Sequence, residues 1–268
     1  MEKEFETLTL EKDDHIAVLT LNRPERMNAF NSTLLREIGE AAEDVRFDDD
    51  IRVLIITGAG RAFCSGADIY EYEPELIEIG GKGPHAVPRR IHEAQFPIRA
   101  IYNLEKPSIA MVNGDAIGSG LNLAAACDIR TGSENTRFMS GFVRLGLVHG
   151  MGALWMLPRI IGVPKALEIC YVNDFIDSEE AFRLGLLNHL WPNLELKERT
   201  FELAKKIAAQ PPIAIKMNRH VLLEGLSMDF DAALKYVAIA QAITGPSKDH
   251  VEAYHAFLEN RPGDFKGE

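Results

Sequence analysis

Strand-like and helix-like hydrophobic patterns alternate along the first half of the chain. Residues 7–10 and 15–21 have the pattern of two strands, and the polar stretch 11–14 between them predicts a hairpin turn. From Ser32 onward, apolar residues recur at helical spacing, and the acidic stretch 48–50 marks the end of the predicted helix. The chain therefore begins, on this pattern, with a β-hairpin and an amphipathic helix.

Further strands are predicted where short β-branched runs occur. Residues 51–57 are almost continuously apolar, which is typical of a strand buried on both faces, and 108–112 and 129–131 are further candidates. Strands alternating with helices in this way predict a largely parallel α/β architecture. The segment 71–97 breaks the pattern with a Gly-Gly-Lys-Gly-Pro tract and the prolines Pro84, Pro88 and Pro97, so we expect a mobile excursion that covers a pocket.

The character of the chain changes beyond about residue 192. Four segments there have helical periodicity, and no strand pattern separates them. They cover residues 196–209, 213–223, 230–244 and 250–258. A helical C-terminal region is therefore predicted to follow the α/β core.

Composition and charge narrow the class of protein. Of the 268 residues, 46% are hydrophobic and 26% are charged, which is enough apolar chain for a sizeable core and excludes disordered or fibrous architectures. The net charge of −11 and the lack of a Lys/Arg stripe argue against a nucleic-acid partner. No apolar run approaches the roughly 20 residues that a membrane helix needs. The acidic start of the chain does not resemble a signal peptide.

The cysteines bear on compartment and metal binding. Cys64, Cys127 and Cys170 are odd in number, far apart and without CxxC spacing, so we expect neither a disulfide nor a zinc site. The sequence therefore predicts a cytoplasmic protein with reduced thiols.

Two glycine-rich turns, each following a predicted strand, are the strongest candidates for chemistry. They read RAFCSGADI at 61–69 and NGDAIGSGL at 113–121. Glycine lets a backbone turn tightly and approach a ligand closely, and a helix start leaves N–H groups pointing outward. Two such turns that face one another place two N–H groups on one oxygen. That arrangement is an oxyanion hole, which stabilises negative charge developing on a carbonyl.

Other interpretations of these turns remain open at this point. Gly118 and Gly120 begin a dinucleotide fingerprint, but Leu123 stands at its third glycine position. Ser65 and Ser119 suggest a serine hydrolase, yet neither lies in a G-x-S-x-G motif. Taken alone, either turn is compatible with a purely structural role.

The ordered set of motifs resembles the crotonase (enoyl-CoA hydratase/isomerase) superfamily. Besides the two turns, the chain has RPxxxNA from Arg23, KP at Lys106, ACDIR from Ala126 and LPRxxG from Leu157, in the family's order. The resemblance covers nearly the whole chain. It implies an α/β fold made of a spiral of repeated ββα units, here residues 1–195, and a helical oligomerisation region at 196–268. It further implies a homotrimer or homohexamer.

The resemblance also implies a ligand and its contacts. Members bind acyl-coenzyme A (acyl-CoA) thioesters, with the thioester oxygen between two backbone amides, which map onto Ala67 and Ser119. No metal or redox cofactor is implied, since coenzyme A enters as part of the substrate. Basic residues that could meet its phosphates are Arg26 and Lys266. The other positions mapped to substrate binding are Met27, Ala29, Ala62, Gly66, Asp68, Ile69, Gly118, Gly120, Asn122 and Phe142.

The chain departs from the family where hydratases carry two catalytic glutamates. Those positions map onto Asn122 and Phe142, and neither side chain has useful basicity near neutral pH. The alternative carboxylate station of the family, around residues 149–152, also lacks Asp and Glu. His149 stands there instead. All three usual carboxylate stations are therefore neutral.

His149 is the leading candidate for acid or base chemistry, since an unperturbed imidazole has a pKa near 6.5; a structural loop histidine is the competing interpretation. Weaker candidates are Asp115, Glu71, Tyr70 and Tyr72. The sequence thus predicts an enzyme of the family that acts on an acyl-CoA thioester by enolate stabilisation and lacks the two glutamates. The alternative is a member of the superfamily that binds acyl-CoA without turnover.

Overall fold

The computed structural model describes residues 4–71 and 88–268, and two sheets organise this part of the chain. The strands are β1 (Leu8–Asp13), β2 (Ile16–Leu21), β3 (Val53–Gly58), β4 (Ala62–Cys64), β5 (Ser108–Val112), β6 (Asp115–Ile117), β7 (Ile129–Gly132), β8 (Arg137–Met139) and β9 (His189–Leu190). Six of them form a large sheet in the order β1-β2-β3-β5-β7-β9, and β4-β6-β8 form a small one.

A repeated pair of strands connects the two sheets. In β3–β4, β5–β6 and β7–β8, the first strand joins the large sheet and the second joins the small sheet. All pairings among these first strands and among these second strands are parallel. Parallel strands end at the same edge of a sheet, so the turns that follow β4, β6 and β8 come together. The predicted parallel α/β architecture is confirmed.

The described helices cover both ends of this framework. They are α1 (Ser32–Phe47), α2 (Pro88–Tyr102), α3 (Ser119–Ala126), α4 (Ala153–Ile161), α5 (Val163–Val172), α6 (Ser178–Arg183), α7 (Asn193–Ala208), α8 (Pro212–Gly225), α9 (Phe230–Thr244) and α10 (Lys248–Glu259). The predicted first helix is α1, and the Asn31 side chain caps it by accepting a hydrogen bond from Leu34 N at 2.8 Å.

The N-terminal hairpin turns later than predicted. β1 extends through Asp13, so most of the stretch expected to be the turn is strand, and the connection is the pair Asp14–His15. Both residues have positive φ, 46° and 65°, as in the tight turns that match strand twist. β1 is an edge strand, and its last three residues are exposed and polar. In the sequence such residues resemble a loop.

The predicted excursion is too long at its C-terminal end. Residues 88–97 belong to α2, and two of the three prolines taken as breakers, Pro88 and Pro97, lie in this helix. The helix packs against α1, where Gly39 leaves room for the Phe96 ring; a Cβ there would come within 2.0 Å of the ring. Tertiary packing has overridden the local proline signal. Residues 72–87, with Tyr72 and Pro84, lie outside the described residues.

The C-terminal helices differ in how they meet the core. α7 packs Leu196, Ala204 and Ala208 against the large sheet, in a cluster with Val53 and Ile55. α8 and α9 bury no residue fully within the described chain. The predicted helical C-terminal region is therefore present, although its first helix covers the sheet. The domain boundary at residue 195 stays a prediction.

One ion pair anchors the C-terminal region to the sheets. Arg219 of α8 donates to Asp128 at 2.9 and 3.0 Å and to the carbonyl of Tyr102 at 2.7 Å. Asp128 in turn accepts from Ser108 N, at the start of β5, at 2.9 Å. Helix α8 is thereby fixed to the N-terminal end of β5.

Candidate active site

The two glycine turns meet, as the sequence predicts, at the C-terminal ends of β4 and β6. Gly66 has φ of 95°, and a Cβ there would lie 2.9 Å from Ile117 O and 3.6 Å from Ser119 N. Gly118 has φ of 55°, and a Cβ placed on it would lie 4.0 Å from the Gly66 Cα. Only glycine permits this approach, because any side chain at Gly66 would collide with the neighbouring backbone.

Both predicted donors of the oxyanion hole leave their N–H groups unused. Phe30 and Ala67 form an isolated parallel β-bridge. Its two hydrogen bonds involve the neighbours of Ala67, since Phe30 N donates to Gly66 O at 2.7 Å and Asp68 N donates to Phe30 O at 2.9 Å. The Ala67 N–H consequently points away from Phe30. Ser119 is the first residue of α3, where N–H groups lack helical acceptors. Among residues 4–71 and 88–268, neither N–H finds an acceptor.

Asn28 and Arg23 hold the first turn in place, and the sequence did not single out either side chain. The Asn28 amide donates to Ala59 O at 2.9 Å and to Ala62 O at 2.8 Å, from a left-handed conformation with φ of 57°. Arg23 pairs with Asp68 at 3.0 Å. Asp68, predicted to bind substrate, is thus buried and neutralised by Arg23. The RPxxxNA motif contained the signal for both roles.

A buried polar chain lies behind the second turn. Asn122 donates from Nδ2 to Gly150 O at 3.0 Å, and its Oδ1 is 2.7 Å from His149 Nε2. His149 Nδ1 is 3.0 Å from the Ser140 hydroxyl and 3.7 Å from Cys170 Sγ. Asn122 is fully buried, and His149 is 6% exposed.

These contacts fix the tautomer of His149. The Asn122 amide nitrogen donates to the Gly150 carbonyl, so the amide oxygen faces the imidazole. Since that oxygen can only accept a hydrogen bond, His149 Nε2 must carry the proton. Nδ1 is then the acceptor of the Ser140 hydroxyl. Burial lowers the pKa of His149 to about 4. The ordinary pKa assumed from the sequence therefore does not apply, and the ring is neutral at neutral pH.

Phe142 covers this polar pair. Its ring stacks on His149 with centroids 4.4 Å apart and planes inclined by 27°. A Cβ placed on Gly118 would lie 3.6 Å from one carbon of the Phe142 ring, and a Cβ placed on Gly150 would lie 3.7 Å from another. The phenyl ring therefore sits beside the oxyanion-hole turn.

The remaining predicted contacts are distributed over two edges of the small sheet. Met27 and Ala62 line a cleft of about 710 Å³ with Arg61, Asp115 and Arg137, at the N-terminal ends of β4, β6 and β8. This cleft lies across the three-residue strands from the predicted oxyanion hole. Arg61, which is not among the predicted contacts, adds a cation there.

The other positions vary in exposure. Ala29 is buried, and a Cβ at Gly120 would lie 2.2 Å from Cys64 O, so both serve the packing of the turns. Ile69 is half exposed. Arg26 lies over the Tyr70 ring at 5.9 Å. Lys266 pairs with Asp264 at 2.8 Å and lies on the exposed C-terminal tail.

The weaker acid–base candidates do not meet at the hole. Asp115 forms a bidentate pair with Arg137, at 2.8 Å for both contacts, at the start of β6. Glu71 lies 3.4 Å from the Ser32 hydroxyl. Tyr70 is 71% exposed.

The described residues contain neither a metal-binding cluster nor a membrane-spanning helix. No group of three or more His, Cys, Asp or Glu side chains there could hold a metal ion. No helix in that part of the chain is long and apolar enough to cross a membrane.

Comparison with known proteins assigns this architecture to a class. The family model described as "Enoyl-CoA hydratase/isomerase" matches residues 11–268. A crotonyl-CoA hydratase of Syntrophomonas wolfei is 36% identical over 266 residues, covering 97% of this chain and 98% of that protein. A 1,2-epoxyphenylacetyl-CoA isomerase of Escherichia coli is 31% identical, covering 94% and 95% of the two chains.

The solved structures agree. An enoyl-CoA hydratase from Bacillus anthracis superposes with a TM-score of 0.92 at 30% identity, covering 98% of this chain and 100% of that one. The chain belongs to the enoyl-CoA hydratase/isomerase family. The predicted resemblance and the crotonase-type α/β fold are confirmed.

The buried imidazole gives a pH dependence that can be measured. The pKa of His149 is about 4 in the folded chain, whereas an imidazole in an unfolded chain has a pKa near 6.5. The unfolded state binds more protons between these values, so stability falls as the pH drops from 6.5 towards 4, by about 3 kcal/mol in full. His149→Gln should remove that part of the slope in denaturant unfolding measured at several pH values.

The matched control for this measurement is His250→Gln, at an exposed histidine. Its slope should match that of the unaltered protein. Identical slopes for His149→Gln and the unaltered protein would mean that His149 is hydrated in solution.

Proposed function

We propose that the protein acts on an acyl-CoA thioester by stabilising an enolate in the hole formed by the Ala67 and Ser119 amides. The observation that supports this most strongly is the pair of N–H groups left without acceptors where two glycine turns meet. Donors aimed at the position of a developing charge stabilise the transition state more than the ground state. Negative charge on the thioester oxygen is what such a hole favours.

The names of the relatives supply the substrate class. Both the crotonyl-CoA hydratase and the 1,2-epoxyphenylacetyl-CoA isomerase are named for CoA thioesters, and both match almost the entire chain. Met27 and Ala62 are proposed to lie along the CoA moiety, with Arg26 and Lys266 near its phosphates. The proposed reaction uses no metal or redox cofactor, because the hole and the thioester suffice for enolate chemistry.

The uncharged side chains beside the proposed hole limit the type of reaction. The family resemblance maps the two hydratase glutamates onto Asn122 and Phe142, and His149 is held as a neutral donor. Hydration across a double bond needs a base for water and an acid for the α-carbon. Isomerisation, decarboxylation and retro-aldol cleavage need mainly enolate stabilisation when a substrate group moves the proton. We therefore favour this second set.

The second candidate is an acyl-CoA-binding protein without turnover. The buried Asn122–His149 pair favours it, because hydrogen bonds within the protein occupy both imidazole nitrogens. The two candidates differ in catalysis and agree in binding. We propose a cytoplasmic setting for either, in line with the three free thiols.

The test combines binding with carbonyl polarisation. Calorimetry should detect acyl-CoA binding, and isotope-edited infrared spectroscopy should find the bound thioester carbonyl shifted to lower frequency. Ser119→Pro removes one donor at the first helical position, where proline is tolerated, and should reduce that shift. Ser119→Ala keeps the N–H and is the matched control. No binding at millimolar ligand would contradict the proposal. Binding with no turnover or α-proton exchange across a panel of thioesters would favour the second candidate.

Crotonyl-CoA hydration should be slow. Loss of one positioned acid or base costs roughly 10²–10⁴-fold in rate, and both usual positions lack a carboxylate here. Asn122→Glu with Phe142→Glu should raise the rate in a spectrophotometric assay, and Asn122→Gln with Phe142→Leu is the uncharged control. Rapid hydration by the unaltered protein would mean that another group replaces a glutamate.

We further propose a homotrimer or homohexamer. Large apolar side chains on α9 and α10 are more than half exposed in the single chain, and their burial between subunits is favourable at about 25 cal/mol per Å². They are Ile239, Ile243, Tyr254, Phe257 and Leu258.

Light scattering at micromolar concentration should give the mass of three or six chains. Ile239→Glu with Phe257→Glu should shift it towards the monomer, because charges cannot be buried there without partners. Lys235→Glu, on the exposed part of α9, is the control. A monomeric unaltered protein would contradict this proposal.

A further inference from the structure

The Phe142 ring lies against both the His149 imidazole and the glycine turn that precedes Ser119. Asn122 has no exposed surface and His149 is 6% exposed, although both lie next to the turn that carries Ser119. The ring stacks on the imidazole at 4.4 Å and reaches Gly118 on one side and Gly150 on the other. An acyl group held at the hole would therefore meet the phenyl ring and not the amide or the imidazole.

The backbone on both sides of Phe142 explains why the ring is held there. Gly141 has φ of 81°, and its N–H donates to the Asn173 side chain. A Cβ placed on Gly141 would lie 3.3 Å from Ile117 and 3.4 Å from Gly118. Leu147 N and Leu145 N both donate to Phe142 O, at 3.2 and 2.9 Å. The ring is thus set by two turns, while residues 143–148 after it are exposed.

We infer that Phe142 is the specificity-determining wall of the acyl site, which limits the protein to short-chain acyl thioesters and seals the Asn122–His149 pair from water. This inference rests on the proposed acyl-CoA function. The ring occupies space beside the hole that a longer acyl chain would need. It is also an apolar cover without a proton to give or take, so the polar pair behind it stays out of contact with the substrate.

The chain-length test uses Phe142→Ala and a series from acetyl-CoA through butyryl-CoA and hexanoyl-CoA to decanoyl-CoA. In the unaltered protein, affinity measured by calorimetry should stop rising after the short members. In Phe142→Ala it should continue to rise by roughly fourfold for each further buried methylene. Phe142→Leu should give an intermediate limit and serves if the alanine variant does not fold. Leu145→Ala, at a 60% exposed neighbour, is the matched control and should leave the profile unchanged.

A second measurement tests the seal without any ligand. In the unaltered protein, the His149 imidazole followed by NMR should stay neutral down to a pH of about 4. In Phe142→Ala, water reaches the ring, and its pKa should rise towards 6.5. Leu145→Ala should not change it.

The outcomes separate this inference from the proposed function. If Phe142→Ala and the unaltered protein bind thioesters with the same chain-length profile, Phe142 does not limit the acyl chain, and the proposed function is unaffected. An unchanged His149 titration in Phe142→Ala would overturn the seal. If the unaltered protein binds no thioester at all, the proposed function fails, and the wall with it.

Discussion

The close approach of two backbone turns is the constraint on which this site depends. Gly66 and Gly118 both have positive φ, which favours glycine, and a Cβ at Gly66 would lie 2.9 Å from Ile117 O. The parallel register of β4 and β6 brings the turns to one edge, and the Asn28 amide holds β4, the strand before the first turn, to the loop after β2. The donors are backbone groups, so their positions follow from the fold and not from the side chains of Ala67 and Ser119.

Much of this framework could be predicted from the sequence, because it depends on local patterns. The buried strand at 51–57, the first helix and the glycine turns each have a period or composition that reports directly on their environment. The hairpin turn and the start of α2 could not be predicted in this way. Polar residues on the edge strand β1 resemble a loop. Pro88 stands at the first position of α2, where proline is tolerated, and α2 packs against α1 although Pro97 lies inside it.

The electrostatic character of the site was harder to predict than its shape. The sequence identifies His149 as a titratable group, but its pKa depends on burial and its tautomer on the orientation of Asn122. Those contacts join residues 27 positions apart and pass through the carbonyl of Gly150. No local pattern encodes them. Candidate acids and bases identified from residue type alone need this environment before a role can be assigned.

Neutral side chains at the two mapped glutamate positions bear on what the proposed hole would stabilise. A carboxylate at about 4 Å from an enolate would raise its energy by about 4 kcal/mol at an effective dielectric constant of 20. A neutral amide at position 122 gives up the base and removes that repulsion at the same time. The arrangement therefore suits reactions in which the substrate supplies its own electron pair, as when a carbon–carbon bond breaks and leaves its electrons on the α-carbon. In such a reaction the proposed hole would stabilise the charge, and the apolar ring of Phe142 would keep water from competing for it.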